Sequence, residues 1–138
     1  MKEARLATFL ALSGFFLFCD RIFKSLALKN SAPELINKYL GWQPHINPGV
    51  AFGIPLPLFL IIAFSVPTIA AILYFTVRQK SWGMLLVVFG ALSNFFDRIV
   101  YGSIVDYILI GASLINIADM MIVGGLIIFL LFLQTKRR

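Results

Sequence analysis

Four aspartates, Asp20, Asp97, Asp106 and Asp119, lie in or beside apolar stretches long enough to enter a membrane. A carboxylate near the bilayer centre costs about 2.5–3.5 kcal/mol on insertion scales, so each of these residues is a functional candidate that needs a partner. Two carboxyl groups held close together cannot both ionise cheaply, and they tend to share one proton. The ionised member then draws a proton from water while the protonated member polarises a carbonyl oxygen. That pair of actions is what hydrolysis of an amide requires when neither a metal nor a covalent intermediate takes part. Asp106 and Asp119 are the best candidates, because Gly111, Ala112 and Ser113 between them allow the chain to turn and bring the two together.

Other polar residues stand at spacings that would support such a pair. Asn116 and Asp119 are separated by three positions, which puts them on one helix face, and Asn94 and Arg98 are separated by four. An arginine facing carboxylates lowers the cost of keeping them in a membrane, and asparagine orients a carboxyl without adding charge. Simpler readings compete. Asp97 beside Arg98 suits a structural ion pair as well as a catalytic role. Asp20, with Arg21 and Lys24 nearby, suits an interfacial cluster whose charges snorkel to water. The lone His45 reads as a loop residue and has no second histidine with which to build a zinc site. Trp42 and Trp82 read as interface anchors. On these grounds alone an enzyme and a proton-coupled transporter fit equally well. A non-catalytic scaffold would explain the small residues of the chain but not its clustered acids.

The elements that must position these residues follow from composition. The chain has 138 residues, room for a single domain over 1–138, and 60% of them are hydrophobic. A mean hydropathy of +0.93 is more than a soluble domain of this size can hide. Twelve basic and six acidic residues leave a net charge of +6. Because aromatic and apolar residues fill long runs instead of alternating with Lys and Arg, a nucleic-acid groove is not expected. The single Cys19 rules out an internal disulfide and a multi-cysteine metal cluster.

A spanning helix needs roughly 20 apolar residues, and four stretches are candidates: Arg5–Leu28, Leu56–Val77, Trp82–Phe96 and Leu114–Leu133. The third is short and is expected to extend through Asp97 or to lie where the bilayer is thinned. Pro67 is expected to kink the second, and Gly124 and Gly125 to let a neighbour approach the fourth. The first stretch follows Lys2 and Arg5 but lacks a small-residue cleavage site, so it reads as a retained helix. Lys2, Arg5, Arg78, Lys80, Lys136, Arg137 and Arg138 all fall on one side of a four-span arrangement, which predicts cytoplasmic termini. All four aspartates then gather at the outer boundary.

Five motifs carry a resemblance: Asp20-Arg-Ile-Phe-Lys24, Asn47-Pro-Gly-Val-Ala-Phe-Gly53, Gly90-Ala-Leu-Ser-Asn-Phe-Phe-Asp-Arg98, Val105-Asp-Tyr107 and Asn116-Ile-Ala-Asp119. In this order they resemble the lipoprotein signal peptidase (signal peptidase II) family of bacterial membrane aspartic peptidases. The resemblance implies an all-α membrane protein of four transmembrane helices with a small extracytoplasmic β-cradle, built partly from the loop around Asn47. It implies a catalytic pair at Asp106 and Asp119. Asp20, Asn47, Asn94, Arg98 and Asn116 would support that pair or contact substrate, and Asp97 and Gly49 would be structural. The implied substrate is a prolipoprotein whose cysteine carries a diacylglyceryl group, cut on the N-terminal side of that cysteine in the bacterial cytoplasmic membrane. No metal, nucleotide or other cofactor is implied. Two departures stand out. Phe23 occupies a position where the family usually has Thr or Ser, so Asp20 is expected to lack a hydroxyl partner. The connection between Asp106 and Asp119 is also shorter than the family often has.

Overall fold

The computed structural model describes residues 2–30, 32–49 and 56–136. Positions 50–53 of the motif that begins at Asn47 lie outside the described residues, as do Arg137 and Arg138 of the basic C-terminus. The chain forms α1 (Lys2–Lys29), β1 (Glu34–Asn37), β2 (Leu40–Asn47), α2 (Leu58–Gln79), α3 (Met84–Tyr101), β3 (Ile104–Ile110), β4 (Ser113–Ile115) and α4 (Ile117–Lys136). All four helices are long and apolar enough to cross a membrane. Large side chains such as Phe15, Phe59 and Phe64 stay bare on their outer faces, as expected where lipid is the solvent.

Helix α3 is the centre of the bundle. Half of its spanning window is buried, against 6–17% for the other three helices. It runs five residues beyond the predicted Phe96 and so takes Asp97 and Arg98 into the helix. Helix α2 runs without a break from Leu58 to Gln79, with Pro67 inside it. Close packing decides the glycines. A Cβ at Gly125 would lie 2.6 Å from a Val87 methyl, which makes it the true contact of the predicted pair, whereas one at Gly124 would meet nothing within 4 Å.

Gly90 is a tighter point, since a Cβ there would stand 2.5 Å from the Ala118 carbonyl oxygen at the start of α4. Gly90→Ala is therefore expected to push the first turn of α4 away from α3. The expected loss is about 1–3 kcal/mol of stability, the range for overpacking, seen as a lower unfolding temperature in detergent. An unchanged melting curve would show that α4 yields there freely.

The four strands form one antiparallel sheet in the order β1-β2-β3-β4, at the end of the bundle where α1 and α3 finish and α2 and α4 begin. Gly102 makes the sharpest join. It caps α3 in the left-handed region at φ 71°, its N–H donating to the Arg98 carbonyl, and β3 begins two residues later. Gly111, at φ 65°, turns β3 into β4. Asp106, expected in a connection, thus lies within a strand, and His45, read as a loop residue, sits on β2 opposite it in register. Buried Ala27, Val105 and Tyr107 pack beneath the sheet with Trp42, Ile108 and Ile117. Trp42, expected as an interface anchor, is half-buried against Phe23 and Tyr107, with ring centroids 6.2 and 5.2 Å away.

Candidate active site

The first turn of α4 organises the site. A helix begins with backbone N–H groups that have no partner inside it, and these must be satisfied from elsewhere when buried. Here each finds a different side chain. The Ile117 N–H donates to the Tyr107 hydroxyl at 3.2 Å, the Ala118 N–H to Asp20 Oδ1 at 3.2 Å and the Asp119 N–H to Asn116 Oδ1 at 2.9 Å. In return Asp119 Oδ2 accepts the Asn116 N–H at 3.2 Å. The three-residue spacing of Asn116 and Asp119 is therefore a reciprocal capping box, with Asn116 ahead of the helix rather than on its face.

Asn116 also joins the two acids. Its Nδ2 donates to Asp106 Oδ1 at 2.6 Å while its own backbone N–H and Oδ1 hold Asp119. One buried residue thus touches both carboxyl groups, although they come from a strand and a helix. Asn47 Nδ2 donates to the second oxygen of Asp106 at 3.3 Å. Burial, and then the neighbouring Asp119 carboxylate, hold Asp106 above the ordinary carboxylate range, against the pull of the hydrogen bonds from Asn47 and Asn116.

Behind Asp119 lies a buried set of charges. Asn94 Nδ2 donates to Asp119 Oδ1 at 2.8 Å, and Asn94 Oδ1 accepts from Lys24 Nζ at 2.8 Å. Because an ammonium only donates, Lys24 fixes which way the Asn94 amide points. Its other two donors reach Asp20 Oδ2 at 3.1 Å and Asp97 Oδ2 at 2.6 Å, so all three are used. Arg21 pairs with Asp97 Oδ1 at 2.7 Å. Two carboxylates and two cations thus balance.

The interfacial reading of Asp20 and Lys24 does not survive, since both side chains are fully buried. Nor does an Asp97–Arg98 pair. Consecutive helix residues point in different directions, and Asp97 turns to Arg21, Lys24 and the Val105 N–H instead. Among the described residues Arg98 makes no side-chain hydrogen bond or ion pair, and it stands half-buried in the field of Asp119, Asp97 and Asp106. The hydroxyl expected to be missing at Asp20 is supplied twice over, by Ser93 Oγ at 2.6 Å and by the Tyr107 phenol at 3.0 Å. Burial and the Asp20 carboxylate raise the pKa of that phenol, which keeps it a donor. Gly49, placed as structural, is buried and its N–H donates to Asn47 Oδ1 at 3.0 Å, in a turn that steadies the side chain reaching Asp106.

Ser93 and Tyr107 were not singled out from the residues themselves, and Lys24 was read only as part of an interfacial cluster around Asp20. Lys24 had a legible signal, a four-residue spacing from Asp20 inside an apolar helix. The two hydroxyls had none, because their partners are far away in the chain.

A family model described as signal peptidase (SPase) II matches residues 12–135. The chain belongs to the signal peptidase II family. It is 35% identical to a lipoprotein signal peptidase of Clostridium novyi, over 86% of this chain and 92% of that protein. Identity to a lipoprotein signal peptidase of Thermodesulfovibrio yellowstonii is 33%, over 82% and 85%. A bacterial membrane enzyme solved by the in meso method at 2.3 Å resolution has a TM-score of 0.85 at 24% identity, over 95% of this chain and 90% of that one, which speaks for the fold alone. Family membership makes the protein an aspartic peptidase and, with its four spans, a multi-pass bacterial membrane protein. It gives no support to the transporter reading.

Proposed function

We propose that this protein removes signal peptides from diacylglyceryl-modified prolipoproteins, cutting N-terminal to the lipidated cysteine with Asp106 and Asp119 as its catalytic pair. The observation that carries the reading is Asn116, which hydrogen-bonds both carboxyl groups and so holds two acids from different elements at one place. In the proposed reaction one ionised carboxylate takes a proton from water as the water oxygen adds to the scissile carbonyl carbon. The other carboxyl group donates its proton to the carbonyl oxygen. Collapse of the tetrahedral intermediate breaks the C–N bond, and a proton passes to the departing amine. Half-buried Arg98, without a protein partner among the described residues, is suited to a substrate carbonyl. No resident metal or cofactor enters this scheme.

The lipid-modified cysteine of such a substrate stays in the membrane, so its scissile bond lies near the boundary. The distribution of Arg5, Arg78 and Lys80 at the end opposite the sheet supports cytoplasmic termini and an outward-facing sheet and acid pair. The whole chain acts as one domain in this reading. Purified protein incubated with a diacylglyceryl-modified prolipoprotein is expected to release the free signal peptide. An intact substrate after prolonged incubation would defeat the proposal.

Asn47 gives a graded test. Its amide favours the ionised form of Asp106, so Asn47→Ala raises the Asp106 pKa further. The pH–rate profile of the pair is then expected to move to higher pH. A move to lower pH would contradict the place given to Asp106.

A further inference from the structure

The Tyr107 hydroxyl ties β3 directly to the first turn of α4 without passing through either acid. Tyr107 follows Asp106 in the chain and is buried, its ring held between Phe23 at 5.8 Å and Trp42 at 5.2 Å. The hydroxyl accepts the Ile117 N–H and donates to Asp20 Oδ1, which in turn accepts the Ala118 N–H. Ile117 and Ala118 are the two residues before Asp119. One phenol therefore connects the neighbour of one acid to the helical turn that presents the other.

We propose that the Tyr107 hydroxyl is a positioning group that sets the first turn of α4 against β3, so that Asp119 meets Asp106 in working geometry. It touches neither carboxyl group of the pair and acts through the backbone and Asp20. Removing it leaves a part-buried N–H at Ile117 without its partner at the helix end, and a small displacement of reacting groups is enough to slow chemistry strongly. Substrate binding through the spans and Arg98 does not depend on it. The inference rests on the functional reading above for its kinetic consequence, though not for its structural one.

The test is Tyr107→Phe, which keeps the ring between Phe23 and Trp42 and deletes only the oxygen. On a diacylglyceryl-modified prolipoprotein kcat is expected to fall between about tenfold and a hundredfold while KM stays within about twofold. Amide hydrogen exchange at Ile117 and Ala118 is expected to quicken in the same variant. Phe23→Leu, which loosens the ring but keeps the hydroxyl, should reduce kcat much less. Wild-type kcat in Tyr107→Phe, an equal loss in Phe23→Leu, or a Tyr107→Phe chain that no longer folds would each overturn the proposal. Failure of the wild-type protein to cut the substrate would instead defeat the functional reading. The exchange measurement needs no substrate and would still decide whether the hydroxyl holds α4.

Discussion

Asp106→Asn and Asp119→Asn are each expected to remove cleavage to the limit of detection while leaving a folded four-span protein. The loss expected from removing a group that gives or takes a proton in the rate-limiting step is about 10²–10⁴-fold, and more where the two acids act as a unit. Asparagine keeps the shape of the carboxyl group. At Asp106 it also keeps an oxygen that can accept from Asn116, so the fold survives the change. The two substitutions should not be additive, because neither acid alone both activates water and protonates the carbonyl oxygen. Comparing initial rates of the two single variants and the double variant on a lipid-modified prolipoprotein measures this. Normal turnover by either single variant would remove that residue from the pair.

Lys24→Met has the largest expected effect on stability. It removes the group that, among the described residues, contacts Asp20, Asp97 and Asn94 together, and it leaves two buried carboxylates with Arg21 as the cation beside them. Breaking a buried ion pair by deleting one partner costs about 3–5 kcal/mol. The charge count supplies the control, since Lys24→Met with Asp20→Asn restores neutrality. That double variant is expected to recover a large part of the melting temperature. Activity should stay low, because Asn94 no longer has a donor that fixes its amide towards Asp119. If Lys24→Met alone keeps both its melting temperature and its rate, the buried charges contribute little to either.

The helices were legible because their signal is local: a run of apolar side chains long enough to cross a bilayer needs no knowledge of the rest of the chain. Even there, packing corrected the edges, as where α3 continues through Asp97 to a left-handed cap at Gly102. The two acids were legible for a similar reason, since a charge in an apolar run is conspicuous. Their surroundings were harder to read. Asp97 looked towards Arg98 in the sequence but finds Arg21, 76 positions away. Tyr107 reaches Asp20 across 87 positions. Such pairings depend on which helix lies beside which, and periodicity does not encode that. Asn116 fell between these cases. Its spacing to Asp119 was visible, yet the spacing of a helix face and that of a capping box are the same, and only the strand ahead of it distinguishes them.

The turn at Gly111 offers experimental access to this site. A Cβ added at Gly111 would meet nothing within 4 Å beyond its chain neighbours, and neighbouring Ala112 is exposed. Because the same short hairpin joins the strand of Asp106 to the helix of Asp119, a spin label or fluorophore attached through Ala112→Cys, with Cys19 replaced, would ride on the segment linking both acids. It would report the arrival of a lipidated chain without occupying the ground where that chain reacts.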